Sequence, residues 1–272
     1  MDTGNDGDVR VAVAQFAPAA DEQANLAEIG ALTARASAAG ADVVVFPEYS
    51  SYFTDPFDAT LAIHAQSLDG PFVRELRLRA EEFGVTIVAG LLEEASDPAL
   101  VRNTVVAVDA TGVRAVYRKI HLYDAFGQRE SDWVEAGTTG VAETFDVRGL
   151  RFGLMTCYDL RFPEVGRVLA DAGAEVFAIP AEWVRGPLKE LHWQTLLQAR
   201  AIENTVFVAA ADHPPPLGVG NSAIVDPQGV VRASIGTGTG IAVTDLERAQ
   251  LERVRRINPA LALRRYGVSP RS

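Results

Sequence analysis

Short apolar segments that alternate with amphipathic segments constrain the fold of this chain more than any other feature. Segments such as 43–46 and 176–179 are continuous apolar runs, which are typical of strands buried on both faces. Between such runs, apolar residues recur at helical spacing, as in segment 25–39, which Gly40 ends. The predicted strands cover 9–16, 43–46, 86–90, 103–109, 113–118, 144–147, 150–156, 176–179, 205–211, 222–225, 230–234 and 240–244, and the predicted helices cover 25–39, 72–83, 163–172, 188–203 and 246–257.

Three pairs of these strands are joined by short turns, which indicates hairpins. The turns are residues 110–112, 148–149 and 226–229, and each contains glycine. A chain that combines strand–helix alternation with hairpins favours mixed sheets in layers over one doubly wound parallel sheet. We therefore predict an α/β protein with a layered, mixed-sheet architecture.

The length of 272 residues fits one large domain that can bury a substantial core. The sequence contains no internal repeat of fixed period, and the proline-rich stretch 212–220 is too short to divide domains. We expect a disordered N-terminal lead at 1–8, a single domain at 9–266 and a C-terminal tail at 267–272.

The charge and cysteine content exclude several classes of protein. The formal net charge is −11 and is not offset by a basic stripe, which argues against nucleic acid and anionic membranes as partners. No apolar run approaches the roughly 18 residues that span a bilayer. Residues 1–8 are acidic and polar, unlike a signal peptide, and one cysteine cannot form an internal disulfide. Together these features predict a cytoplasmic protein.

Cofactor and metal motifs are missing from the sequence. The glycine-rich stretch 236–240 lacks the spacing of a dinucleotide loop and precedes a predicted strand rather than a helix. The four histidines have no metal-ligand spacing. We expect neither a metal nor an organic cofactor.

Three chemically useful side chains lie where predicted strands end. They are Glu48, Lys119 and Cys157, and functional sites in layered α/β folds gather at the carboxyl ends of strands. A thiol nucleophile needs a base, which Glu48 could supply if burial raises its pKa. Lys119 and the backbone N–H of Tyr158 could stabilise the oxyanion that forms when a carbonyl is attacked. Taken singly, each residue has a plainer interpretation, since a lone cysteine is often only a small buried apolar side chain.

The motifs around these residues resemble those of the nitrilase superfamily of carbon–nitrogen hydrolases. The resemblance rests on Phe46-Pro47-Glu48, on 117–124, on 157–164, on His192-Trp193, on 200–204, and on the late segments 220–222 and 226–229. It extends from about Val9 to about Tyr266, which is nearly the whole chain.

This resemblance implies a four-layer α-β-β-α sandwich that forms a homodimer or a higher homo-oligomer. It also implies a catalytic triad, here Glu48, Lys119 and Cys157, and a second glutamate that orients the lysine and the substrate. We assign that second glutamate to Glu130.

The residues after the cysteine are similar to those of the amidase and carbamoylase branches, whereas true nitrilases tend to have Trp-Glu there. Arg161 could pair with a substrate carboxylate, although a structural ion pair with Glu164 or another acid is an equal alternative. Three aromatic residues are further candidates for substrate contacts, as is Tyr158. They are Trp183, Phe126 and Tyr49.

We therefore predict a thiol hydrolase that cleaves the C–N bond of a small linear amide, such as a carboxylate-bearing omega-amide, through a Cys157 thioester and releases ammonia. Within enzymes, the alternative is an N-carbamoyl amide hydrolase. A weaker option is a thiol hydrolase that uses His121 as its base. The alternative of another class is a non-catalytic binding or scaffold protein on the same fold.

Overall fold

A computed structural model describes residues 7–270. Positions 1–6 of the predicted lead and 271–272 of the predicted tail lie outside the described residues. The strands are β1 (Val9–Gln15), β2 (Val43–Val45), β3 (Thr86–Glu94), β4 (Val101–Asp109), β5 (Gly112–Arg118), β6 (Thr144–Val147), β7 (Leu150–Leu154), β8 (Val176–Pro180), β9 (Phe207–Ala211), β10 (Ala223–Val225), β11 (Val231–Ser234) and β12 (Gly240–Leu246). The α-helices are α1 (Glu22–Ala38), α2 (Thr60–Ile63), α3 (Pro71–Phe83), α4 (Pro163–Asp171), α5 (Lys189–Asn204) and α6 (Arg248–Ile257).

The strands form two sheets of six, each of which mixes parallel and antiparallel pairs. The first sheet has the order β12-β1-β2-β3-β4-β5, and the second has the order β11-β10-β9-β8-β7-β6. Only the neighbours within β1-β2-β3 and within β7-β8-β9 run parallel. The prediction of mixed sheets is confirmed.

The two sheets pack face to face, and helices cover their outer faces. Side chains such as Val13 of β1, Phe152 of β7 and Phe207 of β9 form the apolar layer between the sheets. On the outer face of the first sheet, α1 and α3 cover a second apolar cluster, and α4 and α5 do so on the second sheet. The alternation of inward and outward side chains along each strand produces this arrangement. The predicted α-β-β-α sandwich is therefore confirmed.

Local signals in the sequence define the helix ends. The Asp21 side chain accepts hydrogen bonds from the backbone N–H groups of Gln23 and Ala24, which caps the start of α1. Pro71 occupies the first turn of α3, and Gly84 ends that helix in a left-handed conformation.

Some element boundaries differ from the prediction. β3 extends four residues further, to Glu94, and the short helix α2 was not predicted. β7 ends at Leu154 rather than at position 156, because Thr156 caps a 3₁₀ helix over Cys157–Arg161. β9 begins at Phe207 rather than at 205, since Thr205 has a left-handed backbone. Among residues 7–270, no helix is long and apolar enough to cross a membrane.

Candidate active site

The loop after β2 brings Glu48 against the neighbouring strand β3. A Cβ on Gly90 of β3 would lie 2.6 Å from the backbone nitrogen of Tyr49 and 2.8 Å from the Cα of Glu48. The close approach of the two segments therefore requires glycine at position 90. From the other side, Nε2 of the buried His213 lies 2.7 Å from the Glu48 carbonyl. Burial lowers the pKa of His213 to about 4, so a neutral ring donates this bond at pH 7.

Glu48, Lys119 and Glu130 form a buried cluster of two carboxylates and one ammonium. The Lys119 Nζ lies 2.9 Å from Oε1 of Glu48 and 2.9 Å from Oε2 of Glu130. The three residues are no more than 5% exposed. Glu48 follows β2, and Lys119 comes directly after β5, so the first sheet positions both of these residues.

Asn103 of β4 also belongs to this cluster, although the sequence analysis did not single it out. Its Nδ2 lies 2.6 Å from Oε1 of Glu48 and 3.0 Å from Oε1 of Glu130. Asn103 is 1% exposed, so both bonds are sheltered from water. Its one signal in the sequence is an amide side chain at the start of the predicted strand 103–109, and its partners are set by the packing.

Glu130 is held rigidly by groups on three sides. The Tyr49 hydroxyl donates to its Oε1 at 2.5 Å, and the Tyr123 backbone N–H donates to its Oε2 at 2.6 Å. Burial alone would raise the pKa of Glu130, but the Lys119 charge and these hydrogen bonds outweigh burial and lower it. Glu130 is therefore a fixed anion beside Lys119.

Glu48 differs from Glu130 in its pKa. Burial raises the pKa of the Glu48 carboxyl, and the Glu130 charge adds to the effect, while Lys119 opposes it. The pKa of Lys119 is raised well above its usual value, because the two carboxylates outweigh the effect of burial. The cluster thus contains a permanent cation, a permanent anion and one carboxylate suited to accept a proton.

Cys157 lies at the carboxyl end of β7, at the start of the 3₁₀ helix. Its backbone has a positive φ of 44°, which is uncommon for a residue with a side chain. The turn is stabilised by Asp159, whose Oδ2 accepts the Thr156 N–H at 3.1 Å. Sγ of Cys157 lies 3.2 Å from the carbonyl oxygen of Glu182.

The Cys157 thiol is protonated in the resting site. Burial raises its pKa well above the usual value, the Glu48 charge adds to this effect, and Lys119 opposes it. Attack by sulfur therefore requires a base that removes the proton as the new bond forms. The Tyr158 N–H lies in the first turn of the 3₁₀ helix, where backbone donors have no partner within the helix.

A chamber of about 370 Å³ connects these groups to the surface. Cys157, Glu48, Lys119 and Glu130 contribute to its wall. A narrow side arm beyond Cys157 is lined by Tyr123, Cys157, Tyr158, Arg161, Glu182, Trp183, Val184 and Lys189.

The side arm contains two cations among aromatic rings. The Arg161 guanidinium lies 4.6 Å from the centre of the Trp183 ring, and the Lys189 ammonium lies 4.1 Å from the centre of the Phe126 ring. Lys189 also donates to the Tyr123 hydroxyl at 2.7 Å. Over the described part of the chain, neither cation has a carboxylate within ion-pair distance, so Arg161 does not pair with Glu164.

The aromatic candidates and His121 differ in where they lie relative to the chamber. Trp183 is buried in the arm, Phe126 is largely exposed at its edge, and the Tyr49 hydroxyl is occupied by Glu130. The His121 ring bonds to Asp159 at 2.8 Å and faces a different cavity, whereas Glu48 lines the chamber with Cys157. Between Gly7 and Pro270, no group of three or more potential ligand side chains could hold a metal ion.

Two mixed sheets lie between helical layers, and a buried thiol lies beside a carboxylate–lysine cluster, an arrangement suited to a hydrolase. Comparisons with known proteins identify the family. The family model for carbon–nitrogen hydrolases matches residues 10–256. The chain is 38% identical over 257 residues to a deaminated glutathione amidase of Escherichia coli O157:H7, covering 94% of this chain and 97% of the relative.

Other relatives agree. The chain is 30% identical over 268 residues to the mouse omega-amidase NIT2, with 94% of this chain and 95% of the relative covered. The solved structure of an amidase from Nesterenkonia sp. AN1 in complex with acrylamide superposes with a TM-score of 0.81 at 27% identity, covering 97% of each chain. The chain therefore belongs to the carbon–nitrogen hydrolase family, has the nitrilase fold, and is an enzyme of the amidase kind.

Proposed function

We propose that this enzyme hydrolyses small linear amides through a thioester on Cys157, with Glu48 as general base and Lys119 as oxyanion stabiliser. The observation that supports this most is the Glu48–Lys119–Glu130 cluster beside the only cysteine of the chain. A binding or scaffold protein has no need for three buried charges beside a thiol, because burying charge is costly.

In the first half of the reaction, Sγ of Cys157 attacks the amide carbonyl while Glu48 takes the thiol proton. The Lys119 ammonium and the Tyr158 N–H stabilise the negative oxygen of the tetrahedral intermediate. Glu48 then returns the proton to the departing nitrogen, so that ammonia leaves and a thioester remains.

In the second half, Glu48 removes a proton from water, and the hydroxide attacks the thioester. The second tetrahedral intermediate collapses, and the carboxylic acid product leaves as the proton returns to the sulfur. Glu130 stays anionic throughout, since its lowered pKa keeps it unprotonated, and it holds the Lys119 ammonium in place.

For the substrate, we propose linear amides that carry a carboxylate away from the scissile bond. Arg161 and Lys189 in the side arm are two unpaired cations, which a carboxylate would neutralise. The names of the relatives, deaminated glutathione amidase and omega-amidase, favour substrates of this kind.

The test is an ammonia-release screen over small amides, omega-amides, carbamoyl amino acids and nitriles. We expect Cys157→Ala and Glu48→Gln to abolish turnover, and mass spectrometry of a slow substrate to detect the acyl adduct on Cys157 of the wild type. Asp146→Asn, an exposed substitution far from the chamber, is the control and should be neutral. Turnover by Cys157→Ala at the wild-type rate would refute the mechanism, and equal release of carbon dioxide would identify a carbamoylase instead.

We also propose that the chain forms a homodimer or a higher homo-oligomer in the cytoplasm. Exposed apolar side chains on α5, Leu191 and Ile202, support self-association. A reducing compartment suits an enzyme whose nucleophile is its only cysteine, because the thiol must stay free.

A further inference from the structure

Glu182 contacts both the nucleophile and the base, although the proposed mechanism gives its side chain no role. It follows β8, and its backbone contacts both the nucleophile and the base. Its carbonyl accepts the Cys157 thiol at 3.2 Å, and its N–H donates to Oε2 of Glu48 at 2.8 Å. Glu182 lines both the main chamber and the side arm. Its side chain therefore begins beside the position of the scissile amide.

The Glu182 carboxyl group has no partner among the residues that the structure describes. Within residues 7–270, its side chain makes no hydrogen bond and no ion pair, although it is only partly exposed. Among the charged side chains around it, Asp212 raises the pKa of Glu182 most, and Asp212 is fully buried. One Asp212 oxygen accepts the Trp183 N–H at 2.6 Å, and the other has no partner. A carboxyl group left unpaired beside a second buried acid is costly, so a role in binding explains its presence.

Most of the other charges of the chamber are already paired. Glu48 and Glu130 share the Lys119 ammonium, which lies 2.9 Å from each of them. At the mouth, the Asp132 carboxylate lies 3.4 Å from the Arg129 guanidinium. Over the described residues that line the chamber, two acids, Glu182 and Asp55, remain without a cationic partner. Burial, Asp212 and Glu48 raise the pKa of Glu182, and a ligand cation would oppose this rise.

We propose that Glu182 is a specificity-determining residue whose carboxyl group selects amides that carry an ammonium group near the scissile carbonyl. The inference rests on the proposed amidase function and narrows its substrate class. Arg161 and Lys189 provide the opposite charge in the side arm, so the site as a whole fits a zwitterionic amide. Glu182 makes no bond to the reacting atoms through its side chain, so its substitution changes substrate preference rather than the chemical step.

The first experiment uses alkylation of Cys157, the only thiol, and needs no turnover. The reagents are 2-bromoethylammonium, iodoacetamide and iodoacetate, which are cationic, neutral and anionic. Each alkylation rate is divided by the rate with iodoacetamide. Because all three reagents react with the same thiolate, a change in the thiolate fraction cancels in this ratio. For Glu182→Gln, we expect the cation-to-neutral ratio to fall about tenfold, since the variant lacks the carboxyl group that a bound cation would hold in its ionised form. Glu81→Gln, the same change on the exposed surface of α3, is the control.

Unchanged ratios in Glu182→Gln would overturn the proposal. If that variant does not fold, the reagent preference of the wild-type enzyme can be compared with that of free N-acetylcysteine. The proposal requires the enzyme to favour the cationic over the anionic reagent more than the free thiol does, and an equal or reversed preference contradicts it.

The second experiment measures kcat/KM on propanamide and on three derivatives substituted at its C3: 3-aminopropanamide, succinamate and asparagine. In that order, the four compounds carry no charged group, an ammonium, a carboxylate, and both an ammonium and a carboxylate. We expect the ammonium of 3-aminopropanamide to raise kcat/KM at least tenfold over propanamide in the wild type, and Glu182→Gln to remove that difference between the two substrates.

The two experiments separate the two proposals. A uniform loss on all four amides would overturn the role of Glu182 and leave the amidase function intact. If none of the amides is turned over, the amidase function is refuted. The alkylation ratios would still test the role of Glu182.

Discussion

At the scale of single residues, the two glutamates that contact Lys119 have opposite pKa shifts. Glu130 accepts hydrogen bonds from Tyr49 and from the Tyr123 backbone, and these bonds and the Lys119 charge keep it anionic. Burial dominates at Glu48 and raises its pKa from an ordinary value of 4.5. Two carboxylates with separated pKa values take separate roles, and the higher pKa belongs to the residue that must gain and lose a proton.

The first prediction concerns the pH profile of kcat/KM. Glu48 must be unprotonated to act as base, and its pKa is raised, so activity should fall as the pH drops through a value above 4.5. The raised pKa of Lys119 means that loss of its charge should not limit activity between pH 7 and about 10. A profile that stays flat down to about pH 4 would exclude Glu48 as the base.

The second prediction concerns Asn103, which donates hydrogen bonds to both glutamates. Asn103→Ala should lower kcat/KM about 10- to 100-fold, the effect of losing hydrogen bonds to buried charges. It should also move the acidic limb of the pH profile upward, because the Asn103 hydrogen bond lowers the pKa of Glu48. Thr104→Val on the same strand, which removes a bond to Glu93, is the matched control. A loss of activity with an unshifted limb would indicate a purely structural role.

At the scale of elements, the active site depends on how closely a loop can approach a strand. The Pro47 carbonyl accepts the Gly90 N–H at 3.2 Å, and the Gly90 carbonyl accepts the Ser51 N–H at 3.2 Å. The loop that contains Glu48 therefore follows β3 by backbone hydrogen bonds. The loop can approach the strand this closely only because position 90 has no side chain.

The third prediction follows from this approach. Gly90→Ala should place its methyl group into the backbone of Glu48 and Tyr49, which forces the loop away from β3. We expect a loss of about 1–3 kcal/mol in the free energy of unfolding and at least a tenfold loss in kcat. Gly236→Ala, where a Cβ meets no atom within 4 Å, should change neither quantity by much. Denaturant unfolding and steady-state kinetics of both variants test this, and wild-type behaviour of Gly90→Ala would contradict it.

Periodicity and strand-end position predicted much of the fold and the order of Glu48, Lys119 and Cys157 along it. They could not reveal Asn103 or His213, because each acts through contacts made between distant segments. The hydrogen bonds of Asn103 join β4 to loops 55 and 27 residues away. The roles assigned to the site residues stay predictions, since geometry alone measures no turnover. Glu182 was missed because its importance depends on its lack of partners, which only packing determines.

At the scale of the whole molecule, two similar halves meet at the site. One half runs β1-α1-β2-α3-β3-β4-β5, and the other runs β7-α4-β8-α5-β9-β10-β11, each with three parallel strands in its sheet. The first half positions Glu48 and Lys119, and the second positions Cys157 and Glu182. The packing between the sheets thus determines the distance between base and nucleophile, so any change that shifts one sheet on the other should affect catalysis.

The last prediction concerns assembly. Leu191 and Ile202 are 56% and 49% exposed and lie eleven residues apart on α5, which places them on one face of the helix. Exposed apolar side chains on an outer helix favour contact with a second copy of the chain. The double substitution Leu191→Glu and Ile202→Glu should place like charges in that contact and shift the mass measured by light scattering to that of a monomer. Leu78→Glu makes the same change on α3, at the opposite outer layer, and should leave the assembly intact. If the wild type is itself monomeric, or if only Leu78→Glu changes the mass, α5 is not the contact surface.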